Sequence, residues 1–193
     1  FYAANLPVDI LAITTPSGSH YALAKEALTR GHHVFIEKPM TLDIEEARDL
    51  LTLSQKYSKK IAMGHIYRFF PLVEHIREDI VAGIYGEILS AEVKVHWGHD
   101  QAYYDQAPWR GTWAADGGAL MNQSIHALDL MVWLLNLKVA SVQGSIAQRM
   151  HTMEAEDYGA ALYIMENGAI LSLEGTTITP ENAHQASFLI RLE

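Results

Sequence analysis

The chain has 193 residues, 49% of them hydrophobic, and carries 14 Lys and Arg against 23 Asp and Glu, a formal net charge of −9. That length fits one large domain or two modest ones, and the acidic balance argues against a nucleic-acid partner, which calls for clustered Lys and Arg. Without cysteine neither disulfides nor thiolate-held metals are available, no apolar run approaches the ~18 residues of a membrane span, and no charged, apolar-cored leader opens the chain, so a cytoplasmic protein with no membrane partner is expected.

Phe1–Asn5 include no initiator Met, and Ser187–Glu193 stop inside a strand pattern, so both ends read as cut. The first half alternates strand and helix, as parallel sheets do. Val8–Thr14 is a strand. Ser19–Arg30 is a helix with Ser19 as N-cap and Gly31 just past its end. His33–Ile36 is a strand, Asp43–Tyr57 a helix, Ile61–Gly64 a short strand and Pro71–Ala82 a further helix. After Gly86 the pattern changes. Ile88–Trp97 is a long strand, Gly98–Asp116 an aromatic-rich loop and Gly118–Leu135 one long helix. Val139–Arg149, Asp157–Met165, Ala169–Thr177 and Ala183–Leu192 are strands, with Glu166-Asn167-Gly168 as a hairpin turn. Strands that follow one another without helices pair mostly antiparallel. The expected fold is therefore α/β: the remnant of a parallel Rossmann sheet over 1–67, then an α+β domain over 68–193 with a large, mostly antiparallel, open-faced sheet.

In an open parallel sheet, ligands bind beyond the carboxyl ends of the strands. Thr14-Thr15-Pro16-Ser17-Gly18-Ser19-His20 follows one strand end and Glu37-Lys38-Pro39 the next, so both loops should line one crevice. An apolar strand and a proline bracket Lys38, which distinguishes it from an ordinary solvated lysine. In the second half Asn122 and His126 stand at i and i+4, on one face of a helix, and Asp129 on the same stripe is placed to orient the imidazole. Gly117-Gly118 lets something approach the start of that helix closely. In the loop Tyr103–Trp113, Arg110 follows Trp109 and can grip phosphate or carboxylate. His65, Tyr67 and Arg68 follow the last parallel strand. His65 is assigned to the cofactor side of the crevice and Arg68 to the substrate. His96 and His99 in His-Trp-Gly-His-Asp have no third ligand at a recognisable spacing, so no metal is expected.

These spaced motifs resemble the glucose-fructose oxidoreductase / inositol 2-dehydrogenase (Gfo/Idh/MocA) family. They are Thr-Pro-x-x-x-His, Glu-Lys-Pro, Arg-Phe-x-Pro, Trp-Arg and Gly-Gly-x-Leu-x-Asn-x-x-x-His-x-x-Asp. The likeness covers nearly the whole chain. Tyr103–Trp113 with Met121-Asn122-Gln123 looks most like members acting on UDP-N-acetylglucosamine-type sugars, including uronates. The resemblance implies NAD or NADP as cofactor and a sugar, cyclitol or nucleotide sugar as substrate. It implies that Lys38 contacts substrate and nicotinamide ribose and that His126 is the acid/base with Asn122 beside it. Thr15, Pro16, His20, Glu37, Trp109 and Arg110 would touch the cofactor. Three departures stand out: Asn122 where many members have Asp, Ser124 for a frequent glycine, and no Gly-x-Gly-x-x-Gly loop ahead of Val8.

The chemistry is coherent from the residues alone. Oxidising a secondary alcohol needs a base for the hydroxyl proton, which His supplies. It needs a cation beside the developing alkoxide, which Lys supplies. It needs a hydride acceptor, which neither can be, hence a nicotinamide. The competing readings are a catalytically silent sugar- or nucleotide-binding regulator on the same fold, favoured by Asn at 122, and an interaction module built on the large sheet. The strand Tyr158–Met165 is apolar on both faces and expects cover on both. A homodimer or homotetramer packed through the open sheet face is the expected assembly, as the family likeness also implies. The alternative cover is a segment after Glu193.

Overall fold

A computed structural model describes residues 7–180 and 183–193; Phe1–Asn5, read above as a cut end, lie outside the described residues. The chain divides into two compact units, one ending at Gly64 and the other running His65–Glu193. By their contacts His65, Ile66 and Tyr67 cluster with the second unit.

The first unit is a parallel sheet in the order β1-β2-β3, with β1 Ile10–Ile13, β2 His33–Ile36 and β3 Ile61–Met63. Helices α1 (His20–Thr29) and α2 (Ile44–Lys56) connect them. The ends of α2 are set locally. The Asp43 side chain accepts from the Glu45 and Glu46 N–H groups, and Lys56 lies in the last turn, where it complements the helix dipole. Ser19 precedes α1 but makes no cap bond; its hydroxyl donates instead to Pro16 O at 2.7 Å. Gly31, at φ +86°, ends that helix in a conformation that glycine adopts at little cost. Ile13, Leu28, Val34, Ile36 and Leu50 form the core.

The second unit is a five-stranded sheet with helices on one face. Its strands are β4 Ile88–His96, β5 Val139–Ala147, β6 Tyr158–Met165, β7 Ile170–Thr176 and β8 Gln185–Leu192, in the order β5-β6-β7-β4-β8. The pairings are antiparallel except β4 with β7, which run parallel. Helix α3 (Pro71–Val81) precedes the sheet, with proline at its start where no N–H is needed. Two features depart from expectation. The aromatic loop contains a short helix, α4 (Gln101–Asp105). The long helix begins as a π-helical turn, Ala119–Ser124, and only Ile125–Leu135 (α5) is α-helical. Met131 and Leu135 of α5 pack on Val93, Met165, Leu171 and Leu173. Ser124 is fully buried, and its hydroxyl takes up the space that a Cβ at Gly175 would need. The bulk of Ser124 is thus accommodated by a glycine on β7. Among the described residues no helix is long and apolar enough to cross a membrane.

Candidate functional site

In the first unit, the loops after β1 and β2 are joined by one buried side chain. His20 is 1% exposed, and its ring nitrogens lie 2.8 Å from Thr15 O and 2.8 Å from Pro39 O. It draws together the two loops that carry Thr15, Pro16, Glu37 and Lys38, so its visible part is to shape the carboxyl edge of the sheet. Glu37 N–H donates to Ile13 O at 3.0 Å, and the Glu37 carboxylate lies over Gly64, where an added Cβ would stand 2.9 Å from Oε2. Lys38 is half-buried and its peptide bond to Pro39 is cis. Two adjacent strand ends with their loops tied into one wall suit a dinucleotide, which binds beyond the carboxyl ends of parallel strands.

In the second unit, Asn122 sits within the π turn and His126 one residue into α5. The i, i+4 spacing thus does not by itself put them on one α-helical face. The turn is held from outside. The Ala119 N–H donates to Glu156 O at 2.9 Å and the Leu120 N–H to Glu156 Oε1 at 2.9 Å. What approaches the glycine pair closely is Glu156 itself: its carboxylate fills the space that a Cβ at Gly118 would need. Gly117 takes φ +81°, which disfavours any other residue there. Glu156 is 4% exposed, and burial pushes its carboxyl above the usual range. An acid whose folded pKa is raised stabilises the fold at pH below its unfolded value, here about 4.5, and that contribution is lost as pH climbs through the folded value. Glu156→Gln keeps an acceptor for Leu120 but does not ionise. Its melting temperature relative to wild type should therefore rise with pH from about 4.5 upward and level off. A difference independent of pH would show that Glu156 does not titrate in this way.

The Asp116 carboxylate, 2% exposed, accepts from Gly111 N–H at 2.8 Å and from Asn122 Nδ2. His126 is bordered edge-on by the Tyr67 ring at 5.4 Å and the His65 ring at 6.5 Å. Asp129, expected to orient His126, has both oxygens engaged by Arg68. Nε donates to Oδ2 at 2.7 Å and Nη2 to Oδ1, with His65 Nδ1 3.4 Å from Oδ2. Arg68, expected on the substrate, thus forms a bidentate pair with Asp129 and lies over Trp133 at 5.7 Å.

Arg110 stacks on Tyr103 at 4.1 Å and on Trp109 at 4.8 Å. Tyr103 stacks on His99 at 3.7 Å, and His99 Nε2 lies 3.2 Å from the Gln123 amide nitrogen. An aromatic ladder therefore connects Arg110 to the residue next to Asn122. Burial, then the nearby His184 and Arg110, hold the His99 ring below the usual histidine range, so it favours the neutral form. His96 lies 3.3 Å from Glu174. No group of three or more potential ligands able to hold a metal occurs among the described residues.

Sequence reading missed Asp116, Glu156 and Asp157. The last is fully buried. Burial works to raise its pKa, yet the N–H groups of His151, Met150 and Arg149 and the His151 ring hold it low. Asp-Gly-Gly at 116–118 was the available signal for the first. The other two accept from backbone donors dozens of residues away or within a coil, which leaves no periodic trace.

Comparison with known proteins fits this layout. Residues 3–65 match an oxidoreductase family with an NAD-binding Rossmann fold, and residues 73–192 match the GFO/IDH/MocA C-terminal domain. UDP-N-acetylglucosamine 3-dehydrogenase of Acidithiobacillus ferrooxidans is 31% identical over 92% of this chain and 51% of its own length. D-glucoside 3-dehydrogenase of Escherichia coli is 27% identical over 86% of this chain and 51% of its own. The crystal structure of the WlbA dehydrogenase from Bordetella pertussis, in complex with NADH and UDP-GlcNAcA, superposes with a TM-score of 0.93. That match is 35% identical, over 98% of this chain and 55% of that one. The chain spans about half the length of the curated relatives it matches. With both sheets matched in sequence order, and the second match covering more than half of the residues, the chain belongs to the Gfo/Idh/MocA oxidoreductase family.

Proposed function

We propose that the whole protein is an NAD- or NADP-dependent oxidoreductase. It would transfer hydride between the nicotinamide and a secondary alcohol carbon of a sugar, most closely a nucleotide sugar of the UDP-N-acetylglucosamine type or its uronate. The observation that carries this is the built entry to the Asn122–His126 segment, where two buried carboxyl groups, Asp116 and Glu156, fix a non-standard helical turn. A π turn interrupting an α-helix is a common mark of a functional site. The match to a dehydrogenase seen with NADH and UDP-GlcNAcA supports that substrate class.

The loops carrying Thr15, Pro16, Glu37 and Lys38, which His20 ties together, would hold the dinucleotide, with Trp109, Arg110 and His65 as further contacts. A nicotinamide held there would supply the acceptor for the hydride that leaves the carbinol carbon. His126 takes the hydroxyl proton as general base. The Lys38 ammonium stabilises negative charge growing on the carbinol oxygen. Asn122 hydrogen-bonds the sugar and orients it. In the reverse direction the same groups return the proton to a ketone. Copies associate through the exposed face of the β5-β6-β7-β4-β8 sheet as a homodimer or homotetramer. We place the protein in the cytoplasm, with no nucleic-acid partner.

The test is cofactor reduction, followed by absorbance, when the whole protein meets NAD or NADP and a panel of free sugars, cyclitols and UDP-sugars. Turnover with a UDP-N-acetylhexosamine or its uronate is expected. Tight binding of a sugar without any turnover would return the silent-regulator reading instead.

A further inference from the structure

Asp157 and His151 form a buried strut behind the aromatic loop. Three successive N–H groups, of Arg149, Met150 and His151, donate to the Asp157 carboxylate at 2.7, 2.8 and 2.8 Å, the kind of backbone nest that holds an anion in one place. His151 Nδ1 lies 3.1 Å from the same carboxylate, and Nε2 lies 2.9 Å from His99 O. A backbone carbonyl only accepts, so Nε2 donates to it. Both side chains are sealed from solvent. Asp157 is itself fastened to the sheet, its carbonyl accepting from Thr177 N–H at 3.0 Å and from the Thr176 hydroxyl at 2.9 Å. The strut therefore passes the position of the sheet to the residue where the aromatic loop begins. From His99 the order continues outward by stacking. The His99 ring lies parallel to Tyr103 at 3.7 Å, and Tyr103 carries the Arg110 guanidinium at 4.1 Å. Gln101 and Thr152 exchange two hydrogen bonds, at 3.1 and 2.8 Å, which tie the loop to the same connection nearer the surface.

We propose that His151, aimed by Asp157, is a positioning residue. Its Nε2 contact with His99 O holds the His99–Tyr103–Arg110 stack in the pose in which the guanidinium meets an anionic group of the bound dinucleotide. This rests on the reading of Arg110 as a cofactor contact. An arginine already ordered by stacking grips a phosphate without the loss of side-chain and loop freedom that otherwise weakens a complex.

Two amide substitutions separate the two ends of the ring. In His151→Gln the amide nitrogen stands where Nε2 stood and keeps the contact with His99 O. In His151→Asn it stands where Nδ1 stood and keeps only the contact with Asp157. Both variants remove an imidazole from a buried site, so both should lower the melting temperature. They should part in function. In the whole protein, His151→Asn is expected to raise the dissociation constant and KM for the nicotinamide dinucleotide on the order of 10-fold, the scale of a loosened hydrogen bond to a charged group, with kcat little changed. His151→Gln should stay near wild type in both. Tyr103→Leu gives a second route that leaves the buried pair intact. It removes the flat ring between His99 and Arg110 and should weaken the dinucleotide to the same degree, and on that background His151→Asn should add nothing further. Backbone hydrogen exchange over 100–113 reads the loop without turnover: it should quicken in His151→Asn and not in His151→Gln. Equal dinucleotide affinity in the two amide variants, additive losses with Tyr103→Leu, or a loop in His151→Asn as slow to exchange as in wild type would overturn the proposal. Should His151→Asn fail to fold, wild-type affinity in Tyr103→Leu overturns it alone. A wild type whose loop exchanges slowly but which binds neither NAD nor NADP would instead remove the cofactor reading of Arg110, and the expected loss of affinity with it.

Discussion

Replacing His126 by alanine is expected to slow turnover of the whole protein on the order of 10²-fold or more, the usual share of general acid–base catalysis. The ring is half-buried and bordered by Tyr67 and His65, so its loss opens space at the edge of the site without emptying the core. The defect should thus fall on kcat rather than on the folded fraction. If Lys38 stabilises the nascent alkoxide as proposed, Lys38→Ala is expected to lose a similar factor, since electrostatic stabilisation typically contributes about 10² to 10³ in rate. Lys38 and His126 come from the two separate units. If both act on one carbinol oxygen in one step, their losses are not independent, and the double variant should lose less than the product of the single losses. Strict multiplication would mean that they act in different steps or on different groups. Near-normal turnover in His126→Ala would remove it from the mechanism.

The parts of the fold that were legible in the sequence carry their own local instructions. Asp43 and Lys56 mark the two ends of α2. Gly31 closes α1. Glu166-Asn167-Gly168 turns β6 into β7 with Gly168 at φ +88°. What escaped depends on distant partners. The π turn at Ala119–Ser124 follows no apolar repeat that the sequence displays. It exists where Glu156 captures the Ala119 and Leu120 N–H groups. The parallel pairing of β4 with β7 joins Val93 to Leu173. It follows only once α5 crosses the sheet and β5, β6 and β7 meander back to the starting strand. Of the site residues, Lys38 and His126 were visible as reactive side chains at marked positions. Arg68 and Asp129 were visible too, but their mutual pairing was not, since 61 residues separate them.

If copies associate through the open sheet face as proposed, Leu162→Glu is expected to split them into folded monomers. Burial along β6 alternates as the sequence predicted: Gly159 and Met165 are buried beneath the helices, whereas Leu162 and Ile164 are 52% and 38% exposed. On neighbouring strands Ile170 and Leu189 are also exposed. The middle of this face is polar, with Lys94 3.1 Å from Glu92 and His96 3.3 Å from Glu174. A concavity of about 450 Å³ lies between Gln143, Leu162 and Glu92. An exposed apolar surface with charged pairs at its centre fits a self-complementary contact in which those pairs are shielded. In a two-fold contact each copy contributes the same patch. One substitution therefore buries two new carboxylates beside Glu92 and Glu174, and each uncompensated buried ion costs several kcal/mol. Tyr163 serves as the control. It packs against the helix-side core with Leu171 and Met131, so Tyr163→Glu should lower the melting temperature steeply, whatever the state of assembly. Light scattering with circular dichroism distinguishes the two variants. A wild type that is monomeric at tens of micromolar, or an assembly that survives Leu162→Glu intact, would show that this face is covered by something other than a second copy, such as chain following Glu193.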